Sequence, residues 1–500
     1  MHNGKVFLIG AGPGDVGLLT LKAKRYMSEA DVILYDYLAG DEIIAFARVD
    51  AELIYVGKKA GHHTLKQDEI NRLLVDKAKK GKRVVRLKGG DPFLFGRGGE
   101  EALFLVEHGI PFEIVPGVTS AIAVPAYAGI PVTHREYASS LCVVTGHESI
   151  DKASVPWKNI VGIETIVILM GVSNIMEIAK KLLEAGKCPD TPVAAICHGT
   201  TNRQKTITTT LDRVSRDASF IQAPAIIVVG KVVELQKQLQ WFENKPLFGK
   251  GILVTRPISQ GNREQARLFS ARLQDLGAVV YEQPTIKIIS PDSFDELDSA
   301  IKQIRKYQWL IFTSVNGVIY FMQRLKVCGM DIRELYGIKI AAIGPQTKLE
   351  LERYCLNVDY CPDEFVAEAL VEGLKKYDKN GQHVLIPRAK DARNVLENGL
   401  REQGAIPHVV AAYQTIIFEN ERIKDLLLDH RIDVVTLTSP SCVKGFCSIF
   451  DGENMQAYLS GVRIACIGPI TQRAAIELNL RVDTVANEYT ADGLIEAILG

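Results

Sequence analysis

Short apolar runs that close on glycine or proline, each followed by a helically spaced stretch, recur along roughly the first 230 residues. Val6-Phe7-Leu8-Ile9 runs into Gly10-Ala11-Gly12-Pro13-Gly14-Asp15, then a helix carrying Leu18, Leu19, Leu21 and Ala23, then the strand Asp31-Val32-Ile33-Leu34-Tyr35-Asp36. Val84 to Leu87 read as a short buried strand; Lys88-Gly89-Gly90-Asp91-Pro92 turns the chain, and Gly98-Gly99-Glu100-Glu101 opens the next helix. Further strand-to-loop transitions stand at 114–121, 128–135, 141–145, 165–171, 192–199 and 224–230. The pattern predicts two α/β subdomains, about 1–117 and 141–244. Glycine at the end of each apolar strand predicts a ligand lying across the carboxyl ends.

The loops carry chemistry. Gly10 to Asp15 imitates a dinucleotide fingerprint, down to the acidic Asp36 closing the second strand. Pro13 removes an amide that would face a pyrophosphate, and the last glycine is misplaced, so an NAD-dependent dehydrogenase is the alternative reading. Arg86, Lys88 and Arg97 place positive charge beside the Gly89-Gly90 loop, which suits an anionic substrate; an ordinary βα turn with surface charges is the plainer account. His62 and His63, with Lys58 and Lys59, follow another strand, but no neighbouring carboxylate or cysteine completes a ligand set, so no metal is expected.

A polar break at Glu243-Asn244-Lys245-Pro246-Leu247-Phe248-Gly249-Lys250 predicts a linker at 245–250 between a 1–244 domain and a 251–500 domain. The second half repeats itself. Thr313-Ser314-Val315-Asn316-Gly317 returns as Thr438-Ser439-Pro440-Ser441-Cys442, and Ala341-Ala342-Ile343-Gly344-Pro345-Gln346-Thr347 as Ala465-Cys466-Ile467-Gly468-Pro469-Ile470-Thr471. Leu253-Val254-Thr255-Arg256-Pro257 likewise resembles Leu385-Ile386-Pro387-Arg388-Ala389. Two similar α/β lobes follow, since the period is too long for a solenoid. Their Thr-Ser and Gly-Pro-x-Thr loops suit an anion at a helix N-terminus, or simple N-capping, or both.

Composition narrows the partners. Lys+Arg and Asp+Glu both number 59, so no whole-chain field favours nucleic acid, and hydrophobic residues at 47% are ordinary for globular material. No apolar run approaches the roughly 18 residues of a membrane span, and the start of the chain has no long apolar signal region, so a cytoplasmic protein is expected. The nine cysteines are scattered, as befits reduced thiols.

Several motifs stand together in a family's order: Gly10-Ala11-Gly12-Pro13-Gly14-Asp15, Tyr35-Asp36, Val56-Gly57-Lys58, Arg86-Leu87-Lys88-Gly89-Gly90-Asp91-Pro92, Pro116-Gly117-Val118-Thr119-Ser120, Gly129-Ile130-Pro131-Val132-Thr133-His134-Arg135 and Thr145-Gly146-His147-Glu148. With these the first half resembles the uroporphyrinogen-III C-methyltransferases. The resemblance implies a two-subdomain tetrapyrrole methylase fold, S-adenosylmethionine (SAM) as donor, and two methyl transfers to uroporphyrinogen III giving precorrin-2. It matches Pro13, Gly89, Gly90, Asp91, Leu94, Thr119, Ser120, Met170 and Gly199 to donor binding. Asp36 and Lys58 match the positions assigned to proton handling, where Asp36 either takes a proton or stabilises developing positive charge. Arg86, Lys88, Arg97, Arg135 and Lys59 are then candidates for the substrate carboxylates.

The second half resembles uroporphyrinogen-III synthase. That implies a two-lobed α/β fold, lobe one from 251–284 plus 414–500 and lobe two from 287–411, with crossovers at Pro284-Thr285-Ile286 and Ala412-Tyr413-Gln414. Hydroxymethylbilane would be closed with inversion of the last pyrrole, without a cofactor. Tyr413 matches a tyrosine that assists the leaving hydroxyl, and Thr313, Ser314, Arg388, Thr438, Ser439 and Thr471 are candidates to hold propionate and acetate groups. The product of the second half would be the substrate of the first, on the way to sirohaem or cobalamin. The resemblance also implies a homodimer through the methyltransferase half; the alternative is a dehydrogenase fused to a non-catalytic anion-binding module.

Overall fold

The computed structural model describes residues 4–36, 41–57, 65–146, 155–257, 263–377, 380–391, 394–418 and 420–500. The chain divides into two compact units, Met1–Gly249 and Lys250–Gly500.

In the first unit the strands β1 (Lys5–Gly10), β2 (Val32–Tyr35), β3 (Glu52–Tyr55), β4 (Arg83–Lys88) and β5 (Phe112–Val115) form a parallel sheet in the order β3-β2-β4-β1-β5. The alternation of a strand sets both its faces. Val6, Leu8, Val32, Leu34 and Val84 pack on Ile70, Leu74, Ala102 and Leu105 of the helices Gln67–Lys79 and Gly98–Glu107. Phe7, Ile9, Ile33, Val85 and Leu87 face the other way, onto Ala23 and Met27 of the helix Leu21–Glu29. Arg86 and Lys88 share the Val84 face and are therefore carried inward, toward the helix Gly98–Glu107.

A second sheet follows: β6 (Leu141–Thr145), β7 (Thr165–Leu169), β8 (Pro192–Cys197), β9 (Lys205–Thr210) and β10 (Ala225–Val229), in the order β6-β7-β10-β8-β9. β10 runs antiparallel to both its neighbours. The sequence pattern places a ligand at the glycine end of every apolar strand, and here that expectation fails. Gly230, at φ +150, sits where an added Cβ would lie 2.3 Å from the Glu164 carbonyl oxygen, at the end opposite the start of β10.

The second unit holds two sheets. β11 (Gly251–Val254) and β12 (Val279–Glu282) begin one; β13 (Ile286–Ile289), β14 (Trp309–Phe312), β15 (Lys339–Ala342), β16 (His383–Ala389) and β17 (Ile406–Ile417) make the other; β18 (Val434–Leu437), β19 (Arg463–Cys466) and β20 (Thr484–Val485) complete the first. Their orders are β12-β11-β18-β19-β20 and β13-β17-β16-β14-β15. β17 continues through Ala412, Tyr413 and Gln414 to pair antiparallel with β13 as far as Ile417, so the return crossover comes after Ile417, later than the motif suggested. The extra residues stay in the sheet because β13 supplies their ladder partners.

Candidate functional site

The loops after β1, β4 and β5 meet main chain to main chain. Gly12 and Gly90 exchange both hydrogen bonds, N to O at 3.2 and 2.7 Å, and Ala11 N donates to Lys88 O at 2.7 Å. A Cβ on Gly10 would lie 2.5 Å from Gly90 O, and one on Gly117 2.2 Å from the same oxygen. Only glycine allows this approach.

Asp91 ties the same loops together. Its Oδ1 accepts from Phe93 N at 2.8 Å and Leu94 N at 3.1 Å, while Oδ2 accepts from Gly117 N at 3.0 Å. Thr119 caps the helix Ser120–Tyr127, its hydroxyl accepting from Ala121 N at 3.2 Å. Asp15 bridges to the second sheet: its amide donates to Thr200 Oγ1 at 3.2 Å, and Tyr127 donates to its carboxylate at 2.7 Å. Burial and that carboxylate together raise the pKa of the Tyr127 phenol.

Between these loops and the second sheet lies a cavity of about 1600 Å³. Pro13, Gly89, Gly90, Asp91, Leu94, Thr119, Ser120, Met170 and Gly199 all line it, as do Asp36 and Lys88. Residues the sequence reading did not single out join them: Phe95, His198 and the start of β10 at Ala225 and Ile226. Phe95, Met170 and His198 carry positive φ, at 53, 54 and 48°, and such strain in side-chain-bearing residues clusters at functional sites. Burial lowers the pKa of His198, with Arg203 adding to the effect.

The cavity suits a sulfonium donor. Its floor is close-packed glycine backbone and its walls carry apolar Leu94 and half-exposed Met170, while of its cations Lys88 is paired with Glu101 at 2.8 Å and Arg203 is exposed.

Three basic candidates are placed otherwise than expected. Arg86 is 4% exposed and spent inside the fold, donating to Leu87 O at 2.9 Å and lying 3.3 Å from Glu101 and 3.4 Å from Asp36. It cannot face a substrate, because β4 alternation points it under a helix. Arg97 caps that helix at φ +58 and pairs with Glu100 at 2.6 Å, outside the cavity lining. Arg135 is exposed and also outside the lining. Lys58, Lys59, His62 and His63 lie outside the described residues.

In the second unit the Thr-Ser loops are N-caps. Ser314 accepts from Gly317 N at 3.0 Å and Ser439 from Cys442 N at 3.2 Å. Tyr413, 7% exposed, shares a 3.0 Å hydrogen bond with Ser314, and burial raises its pKa above the ordinary 10.0. Thr313 and Thr438 are partly exposed beside the caps. Thr471 is not available to a ligand: at 3% exposed it is buried inside the helix Pro469–Glu477, whose N-cap is Gly468. Arg388, 7% exposed, is engaged by Asn394 at 2.6 Å and lies 3.9 Å from Glu397. Its repeat counterpart Arg256, which the sequence reading passed over, follows β11 beside Cys442 in the first turn of the helix Pro440–Ser448. Burial lowers its pKa. The repeat itself was the signal that could have found it.

Among known families, the tetrapyrrole (corrin/porphyrin) methylases match residues 5–215, and uroporphyrinogen-III synthase HemD matches residues 268–496. The porphyrin biosynthesis protein HemD of Ruminiclostridium josui is 39% identical over 505 residues, covering 100% of this chain and 98% of that one. A uroporphyrinogen-III C-methyltransferase of Bacillus subtilis (strain 168) is 53% identical over 246 residues, 48% of this chain and 96% of its own. That of Methanocaldococcus jannaschii is 54% identical over 239 residues, 46% of this chain and 98% of its own.

Proposed function

The chain belongs over its length to the family of the porphyrin biosynthesis protein HemD, and in its first half to the uroporphyrinogen-III C-methyltransferases, and on that premise we propose how its cavity and caps carry the two reactions. It is an enzyme of both classes, a SAM-dependent uroporphyrinogen-III C-methyltransferase and a uroporphyrinogen-III synthase of porphyrin and sirohaem biosynthesis. The dehydrogenase alternative falls with that membership.

One observation carries the reading of the first unit: nine residues drawn from both subdomains converge on one cavity with Asp36 at its wall. The donor is held by the glycine floor of Gly89 and Gly90, by Leu94, Met170 and Gly199, and by the loop that Asp91 and Thr119 fix. When bound, SAM supplies an electrophilic methyl on a sulfonium. The residues therefore need chiefly to align and exclude water. Asp36, with Arg86 at 3.4 Å from its carboxylate, sets that carboxylate against positive charge developing on the tetrapyrrole. Lys58 shares the proton handling. Lys88 meets a substrate carboxylate at the cavity wall.

In the second unit, Tyr413 donates to the leaving hydroxyl of hydroxymethylbilane, with Ser314 orienting the phenol. The partly exposed loops of Thr313, Ser314, Thr438 and Ser439, together with Arg256, receive propionate and acetate groups. Ring closure with inversion then yields uroporphyrinogen III, which the first unit methylates twice to precorrin-2. We assign the methyltransferase to 1–244 and the synthase to 251–500, place the protein in the cytoplasm, and expect a homodimer through the first unit. No helix among the described residues is long and apolar enough to cross a membrane.

The test is a coupled assay with hydroxymethylbilane and SAM, read by absorbance and mass. A doubly methylated tetrapyrrole supports both reactions. Unmethylated uroporphyrinogen III defeats the account of the first unit, and uroporphyrinogen I alone defeats that of the second.

A further inference from the structure

Arg86 and Lys88 leave β4 on one face, and both meet a single carboxylate, Glu101, on the helix that covers that face. Glu101 is fully buried. Its Oε1 accepts from Lys88 Nζ at 2.8 Å, from Gln67 Nε2 at 3.0 Å and from Arg86 Nε at 3.3 Å. Its Oε2, also buried, has no hydrogen-bond partner among the described residues. Beyond Arg86 stands Asp36, whose Oδ2 is 3.4 Å from Nη2. Two cations and two carboxylates thus alternate from the protein interior to the cavity wall, where Asp36 and Lys88 emerge.

Such a chain is stable only while its charges balance. Removing one member leaves a buried charge uncompensated. Glu101, like Arg86, has no access to the cavity, and it is the carboxylate that both cations share.

We propose that Glu101 is a positioning residue for methyl transfer: it holds Arg86 turned toward Asp36 and Lys88 Nζ at the cavity wall, so that the Asp36 carboxylate is presented in a fixed place to the reacting tetrapyrrole. The proposal rests on the methyltransferase reading above. The groups facing Glu101 are Gln67 from the helix Gln67–Lys79, Arg86 and Lys88 from β4, Asp36 beyond Arg86, and Arg97 at the start of its own helix. Burial and Arg86 lower the pKa of Lys88, and Glu101 opposes both. Without that carboxylate Lys88 loses its proton at lower pH, and the alkaline limb of methylation moves down with it.

The experiment measures S-adenosylhomocysteine binding by calorimetry and the pH–rate profile of uroporphyrinogen III methylation, for the full chain, for Glu101→Gln, for Lys88→Met and for the double variant Glu101→Gln/Lys88→Met. The expected Glu101→Gln protein binds S-adenosylhomocysteine within about twofold of the parent, with kcat down roughly tenfold or more, the scale of a misplaced catalytic group. Its alkaline limb moves to lower pH, and the double variant lacks that limb. Should Glu101→Gln fail to bind S-adenosylhomocysteine, the double variant, which removes a cation together with the anion, decides. Restored binding with kcat below that of Lys88→Met alone supports the proposal; kcat equal to that of Lys88→Met, or no binding in either variant, overturns it. A Glu101→Gln profile that superimposes on the parent's overturns it as well. A parent chain that does not methylate uroporphyrinogen III defeats the functional reading instead.

Discussion

Replacing Asp91 by alanine removes three acceptor contacts at once: those to Phe93 N at 2.8 Å, Leu94 N at 3.1 Å and Gly117 N at 3.0 Å. The carboxylate is partly exposed, so each contact is taken near the ordinary net value, about 1 kcal/mol, and the three together hold the loops by about 3 kcal/mol. Those loops carry Leu94 and Thr119, both at the cavity. If half or more of that ordering is drawn from donor binding in the variant, affinity falls by roughly 10- to 100-fold, at about 1.4 kcal/mol per tenfold. Asp91→Asn separates the contributions. Its amide keeps one oxygen for Phe93 and Leu94 but turns an NH₂ toward the Gly117 N–H, so it falls between parent and alanine. Calorimetry with S-adenosylhomocysteine reads the affinity, and conversion of hydroxymethylbilane on the same protein reads the synthase, which is expected to be unaffected. Donor affinity within twofold of the parent for Asp91→Ala would refute the reasoning.

Gly117→Ala places a Cβ 2.2 Å from Gly90 O, a backbone atom that cannot swing away; overpacking of this kind costs about 1–3 kcal/mol, and donor binding is expected to be lost with a lowered first thermal transition, so an unchanged melting curve would count against the close-packed floor. Tyr413→Phe is expected to slow ring closure about tenfold or more while methylation of supplied uroporphyrinogen III is unaltered, and an unchanged synthase rate removes Tyr413 from the mechanism. Because burial raises its pKa above the ordinary 10.0, any falling limb of the synthase rate that comes from its ionisation should lie at higher pH than an ordinary phenol's; a limb at or below the ordinary value that vanishes in Tyr413→Phe would contradict this. Arg256→Ala is expected to raise KM for hydroxymethylbilane by roughly tenfold, about 1.4 kcal/mol, whereas Arg388→Ala, which removes the part-buried contact to Asn394 at 2.6 Å while Glu397 keeps Arg401 at 2.6 Å, is expected to act on stability; equal KM for Arg256→Ala and the parent would dismiss it as a carboxylate contact.

Much of this was legible in the chain because it is local. Glycine and proline at strand ends, the apolar runs of parallel strands and the internal repeat of the second half are short-range signals, and the donor-pocket residues lie in loops whose backbone demands only a few residue types. The alternation Val84, Arg86, Lys88 even states that the two cations share a face. It does not state that the face is the buried one.

That decision belongs to tertiary structure. The helix Gly98–Glu107 covers the Val84 face and brings Glu101 to Arg86 and Lys88, converting two expected substrate contacts into one wall residue and one internal support. Likewise β10 reads as one more glycine-ended strand, yet pairs antiparallel with β7 and β8, so its beginning and not its glycine reaches the cavity. Thr471 looks like a loop hydroxyl until Gly468 and Pro469 start a helix that turns it inward. Local residue preference sets the elements and the turns between them, whereas which face is covered and which way a strand enters its sheet depend on partners distant in sequence, whose contacts no short window contains.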